Sequence, residues 1–115
     1  FGIKVCVSPD GEEQTIIAFN SLQSLLSIDT RQSGPADSPK DIEAAPFSLD
    51  QDERLRLRIF VDKSVVEVFA NDRQALARRI YPERTDSLGV RLFANGGSAR
   101  VHALQSWHMS PSNPY

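Results

Sequence analysis

The stretch from Arg54 to Asp62 reads R-L-R-L-R-I-F-V-D. Leu55, Leu57, Ile59 and Val61 fall on one side of an extended chain, and Arg54, Arg56 and Arg58 on the other. A period of two predicts a half-buried strand. V-V-E-V-F-A-N (65–71) follows after only Lys63-Ser64. With those two residues as a hairpin loop, Val61 faces Val66, Ile59 faces Val68 and Leu57 faces Ala70. A slip of one residue would break this match, so the pattern specifies the register.

Shorter segments of the same kind fill the rest. Residues 1–7 alternate, and S-P-D-G-E-E-Q (8–14) reads as a turn. T-I-I-A-F-N (15–20) and L-L-S-I-D (25–29) predict short apolar strands, and 30–41, with two prolines, is the longest loop. Residues 42–50 are expected to hold a short strand at their end, with Pro46 at an edge or a strand start. A-L-A-R-R-I-Y-P (75–82) predicts the next strand, ended by Pro82. Segments 88–95 and 98–109 flank Gly96-Gly97, a loop that would pair Ala94 with Ala99, Leu92 with Val101 and Val90 with Ala103. About nine short strands at turn-separated intervals, without a helix, predict an all-β antiparallel sandwich or barrel.

Composition narrows the classes. The 115 residues fit one domain, 1–115, with 110–115 as an irregular tail. Thirteen basic against fifteen acidic residues give a formal net charge of −2, which argues against nucleic acid as a partner. No apolar run approaches the ~20 residues of a membrane helix, so no membrane partner is expected. The chain opens on a strand without an initiator methionine or signal peptide, and is expected to be a piece of a longer protein. The lone cysteine, Cys6, reads as a small hydrophobe in a strand.

The candidate chemistry is sparse. In the predicted register Asp62 and Glu67 share one face as diagonal neighbours, about 7–8 Å apart at Cα. Glycosidases hold their two carboxyls about 5–5.5 Å apart when retaining and about 6.5–9.5 Å apart when inverting. Distance therefore permits a catalytic pair, but environment opposes it. A proton donor needs a raised pKa, whereas Glu67 lies diagonal to Arg58, which would lower it. Asp62 reads as a turn-former, Glu67 as a cross-strand partner and Asp72 as a loop residue. The strand-borne arginines, Arg78 and Arg79 among them, read as an outer face with mixed ion pairs; an interface is the functional alternative. His102 and His108, six residues apart, make no metal box. Trp107 reads first as a core anchor; its alternative role is to stack on a sugar ring. No metal or cofactor is called for.

The stretch F-V-D-K-S-V-V-E-V-F-A-N-D (60–72), with R-I-Y-P at 79–82, resembles glycoside hydrolase family 32, the invertase, fructanase and levanase family, in its C-terminal β-sandwich. The matching positions are Asp62, Ser64, Glu67, Phe69, Asn71, Tyr81 and Pro82. Asp29, Arg31, Ser33 and Gly34 resemble a second family segment, and 86–101 with 104–109 its closing hairpin. The resemblance covers nearly the whole chain and selects a sandwich over a barrel.

It implies a parent enzyme, a retaining glycosidase acting on fructose-containing saccharides such as sucrose, inulin or levan. Its chemistry would lie in an N-terminal five-bladed propeller, the expected partner of this domain, and the motif residues here would be structural. The propeller's Asn-Asp-Pro, Arg-Asp-Pro and Glu-Cys segments are absent: the chain has no Asp-Pro dipeptide, and Cys6 follows Val5. No family catalytic residue maps onto it. The family sandwich also begins several strands before Phe1-Gly2, so missing strands are expected. Further expectations are subunit contacts in a homo-oligomer and secretion of the parent. The alternative is a stand-alone fructan-binding module with Trp107 or an exposed Tyr or Phe as platform.

Overall fold

A computed structural model describes residues 1–34, 40–62, 65–80 and 89–94. Eight strands are present among them: β1 (Gly2–Val7), β2 (Thr15–Asn20), β3 (Leu25–Asp29), β4 (Ile42–Pro46), β5 (Leu57–Asp62), β6 (Val65–Ala70), β7 (Gln74–Arg79) and β8 (Gly89–Phe93). All pairings are antiparallel. One sheet has the order β4-β3-β2-β1-β8 and the other β5-β6-β7. The sequence signals for β2 and β3 match these bounds. The segment 98–109, expected as a ninth strand, and the hairpin at Gly96-Gly97 lie outside the described residues.

The β5–β6 hairpin has the register that the apolar pattern predicts. Leu57 pairs with Ala70, Ile59 with Val68, Val61 with Val66, and Asp62 with Val65. Two expectations need correction. The strand within 42–50 lies at its start, Ile42–Pro46, not at its end. Pro46 closes it, on the edge of the five-stranded sheet, where a missing N–H breaks no central ladder. Arg78 is not on an outer face. It pairs with Val66, whose side chain is fully buried, so it stands on the core side of β7.

One apolar cluster joins both sheets. The five-stranded sheet contributes Val5, Ile17, Phe19, Leu26 and Ile28; the three-stranded sheet contributes Val66, Val68, Ala70 and Leu76, and Phe47 and Ile80 close the cluster. Burying each large aliphatic side chain contributes roughly 1.5–3 kcal/mol, so this layer is the main source of stability. Phe19 and Phe47 meet edge to face, with centroids 5.7 Å apart. Gly2 serves the close approach of β1 to β2: a Cβ there would stand 1.9 Å from the Ile17 carbonyl oxygen.

β1 does not alternate throughout. Its pairing with β8 shifts between Lys4 and Val7, and Cys6 has φ of 50°. This bulge leaves Cys6 half-buried beside the core. Burial, and then the charge of Glu13, push its thiol pKa up.

Candidate functional site

The hairpin that suggested a catalytic pair is the place to begin. Phe60 pairs with Glu67, so Asp62, Phe60 and Glu67 share the outward face of the three-stranded sheet. Both carboxylates are exposed. Phe69 lies on the same face and meets Phe60 edge to face at 5.8 Å. Arg58 was expected to act on Glu67. It turns instead to Asp72, at 3.5 Å, and its guanidinium lies 5.6 Å from the Phe60 centroid. Asp72 also receives Arg56 at 2.9 Å. A residue read as plain loop thus anchors two arginines, because the β6–β7 turn brings it beside the start of β5.

That turn carries a set of linked side-chain hydrogen bonds. Asn71 and Asp72 have φ of 50° and 56°, and the Arg73 N–H donates to the Ala70 carbonyl at 3.1 Å. This is the left-handed turn that suits a twisted hairpin, and Asn and Asp are the side-chain-bearing residues that tolerate it best. The Asn71 side chain then ties down the segment before β5. Its Oδ1 accepts from the Arg56 N–H at 2.6 Å. Its Nδ2 donates to Glu53 Oε2 and to the Arg54 carbonyl, each at 2.9 Å.

Glu53 completes a clasp. Arg73 binds both of its carboxylate oxygens, and the Asp50 N–H donates to Oε1 at 2.9 Å. The Arg73 hydrogen bonds first, then those from Asp50 and Asn71, hold the Glu53 pKa down at about 2. A carboxylate held in this way is ionised at neutral pH and cannot serve as a general acid. Arg73 also donates to the Ser48 carbonyl and lies 4.8 Å from the Phe47 centroid.

The clasp and β7 bind the two sheets along one side. Gln74 Nε2 donates to the Pro46 carbonyl at 2.8 Å. Arg78 pairs with Asp41 and lies 3.8 Å from Glu43. Gln74, Leu76 and Arg78 share the core side of β7, so one buried leucine is flanked by two polar links to β4 and its neighbours. Beside the clasp lie two open depressions of about 300 Å³ each. Ser24, Phe47, Asp50, Arg73 and Gln74 line one, and Phe69, Asp72 and Ala75 are part of the other. Neither Asp62 nor Glu67 lines them.

The second motif segment also forms a turn. Asp29 accepts from the Arg31 backbone N–H at 3.0 Å and from its guanidinium at 2.8 Å. Burial alone would raise the Asp29 pKa, but the Arg31 hydrogen bonds and charge outweigh it, and the net shift is downward. Ser33 is buried, Gly34 has φ of 82°, and Lys40 Nζ donates to both of their carbonyls. Ser64, Tyr81, Pro82 and Trp107 lie outside the described residues, as do His102 and His108. Glu53 and Arg73 were missed in the sequence. Their only signal was Arg73 beside an Asn-Asp turn, and Glu53 lies 20 residues away from it.

The described residues thus define an antiparallel two-sheet β-sandwich whose sheets are linked by a polar clasp. The family model for the C-terminal region of glycosyl hydrolases family 32 matches residues 1–108, and the chain belongs to that family. It is similar to a levanase of Bacillus subtilis, 37% identical over 111 residues, covering 90% of this chain and 16% of the relative. A sucrose-6-phosphate hydrolase of Zymomonas mobilis is 31% identical over 106 residues, covering 88% of this chain and 20% of the relative. The crystal structure of an exo-inulinase from Aspergillus awamori superposes with a TM-score of 0.77 at 28% identity, covering 84% of this chain and 19% of that one. The chain spans a fifth or less of the length of these relatives.

Proposed function

We propose that this chain is the accessory, non-catalytic β-sandwich of a β-fructofuranosidase-type enzyme. In this reading it forms one domain over 1–115, packs against an N-terminal catalytic propeller and stabilises it, and contributes to subunit contacts. Sucrose or fructan is bound and cleaved by the parent, not by this domain. The family match over residues 1–108 carries the reading, because it is a match to the C-terminal region. The relatives' printed activities, levanase and sucrose-6-phosphate hydrolase, support the substrate class.

The motif residues Asp62, Ser64, Glu67, Phe69, Asn71, Tyr81 and Pro82 are structural in this reading. Asn71 is the best supported, since its side chain makes three hydrogen bonds to the Glu53–Arg56 segment. Assaying the purified chain on sucrose, inulin and levan tests the reading. No turnover above a blank is expected, and robust turnover on any of the three would overturn it. Titration with a fructo-oligosaccharide by calorimetry is expected to give no heat; saturable heat would favour an independent binding module.

A further inference from the structure

The segment 47–56 carries the chain from β4 in one sheet to β5 in the other. Its two ends are fixed by backbone bonds. The Phe47 N–H donates to the Ser24 carbonyl, and the Asn71 N–H to the Arg56 carbonyl, each at 2.9 Å. Residues 48–54 between them join no strand and are mostly exposed. The Glu53 N–H donates to the Asp50 carbonyl at 3.0 Å, which closes a turn but ties the span to neither sheet. Leu49, the apolar side chain of the span, is only half-buried against the core.

The links that fasten the span are side chains from one turn. Arg73 donates to both Glu53 oxygens and to the Ser48 carbonyl. Asn71 Nδ2 donates to Glu53 and to the Arg54 carbonyl. The Arg73 side chain is itself 43% exposed, so water competes for its bonds. Few buried apolar contacts and exposed hydrogen bonds mark the parts of a fold that open without global unfolding.

We infer that residues 48–54 form a strap that opens as a unit while both sheets stay paired, with the Arg73 guanidinium as its fastener. Opening bares Phe47, whose ring centroid lies 4.8 Å from that guanidinium and which is otherwise buried. It also joins the two depressions, because Arg73 and Gln74 line both.

Hydrogen exchange in the full-length parent polypeptide, followed peptide by peptide by mass spectrometry, tests this. The Asp50 and Glu53 amides report on the strap, and the amides of β2 and β3 on the sheets. In the unsubstituted protein the strap amides are expected to be at least ~10-fold less protected than those of β2 and β3. Arg73→Ala touches neither strap amide bond directly, yet should lower strap protection at least a further ~10-fold, with the sheets still the better protected. Arg73→Lys, which keeps the charge but not the fork on Glu53, should fall between and is read in the same way if Arg73→Ala does not fold. Arg58→Ala, which removes an arginine from Asp72 in the same turn, should leave the strap unchanged. Equal protection of strap and sheets would show that they open together and would overturn the proposal. Strap protection untouched by either Arg73 substitution, or lost equally in Arg58→Ala, would overturn Arg73 as the fastener.

Discussion

The five-stranded sheet and the three-stranded sheet contribute to one core but solve different problems. In the first, β2 and β3 turn Ile17, Leu26 and Ile28 fully buried into the core, and their outer positions mix Ile16, Ala18 and Leu25 with Asn20, Ser27 and Asp29. In the second, the outer face likewise mixes Phe60 and Phe69 with charged residues, and the order of the turns depends on polar links such as Asn71 to Glu53 and Arg73 to Glu53. Hydrophobic burial is non-directional, whereas hydrogen bonds fix geometry. The wide sheet thus supplies bulk stability. The narrow one supplies the turn, the clasp and the links that hold it in place over β4.

Truncations in the core should show the largest effects. Ile17→Ala, in a central strand, is expected to cost about 2–5 kcal/mol. Leu76→Ala, in the edge strand β7 and 8% exposed, should fall near the lower end of that range. Urea midpoints at neutral pH measure both, and equal losses would remove the distinction between the sheets. Gly2→Ala comes next, at about 1–3 kcal/mol, because its new methyl meets backbone that cannot move aside.

The clasp is tested by Asn71→Ala, which should cost about 1–3 kcal/mol through lost hydrogen bonds and a left-handed backbone without Asn. Asn71→Gly keeps the turn and loses only the bonds. A smaller loss for Gly than for Ala, compared by thermal unfolding, separates the two causes. On the outer face, Phe69→Ala should lose about 0.5–1.5 kcal/mol from its edge-to-face pair with Phe60, beyond the loss of its half-buried area.

The smallest effect is a pH dependence. Glu53 sits at about 2 in the fold and near 4.3 in an unfolded chain. Its contribution is therefore complete above the unfolded value and lost as pH falls from there through about 2. Asp29, also lowered, acts in the same direction. Glu53→Gln should be less stable at neutral pH and show a flatter decline between pH 4.3 and 2. Denaturant midpoints at several acidic pH values decide this; an unchanged slope would mean that the clasp carboxylate is not coupled to folding.

The sandwich class and the β5–β6 register were legible because apolar side chains two apart must share a face. The strand within 42–50 was misplaced because I-E-A-A-P carries little alternation of its own and forms by pairing with β3. Arg78 was misassigned for a different reason. Its position is inward by parity with Leu76, but β7 is an edge strand, so an inward arginine still reaches Asp41 and Glu43. The clasp was illegible because Glu53 meets Asn71 and Arg73 across 18 and 20 residues, and only the folded chain brings them together. Asp62 and Glu67 were tempting as a pair by spacing alone; the hairpin register already set them opposite the apolar face, and the fold leaves both exposed.

The central claim is that these residues supply structure and not chemistry. It is tested most directly in the full-length parent by Asn71→Ala, with Tm and kcat on sucrose or fructan measured on the same preparation. The account predicts a Tm lowered by several degrees and an unchanged kcat at temperatures where the variant is folded. A large fall in kcat at an unchanged Tm would contradict it.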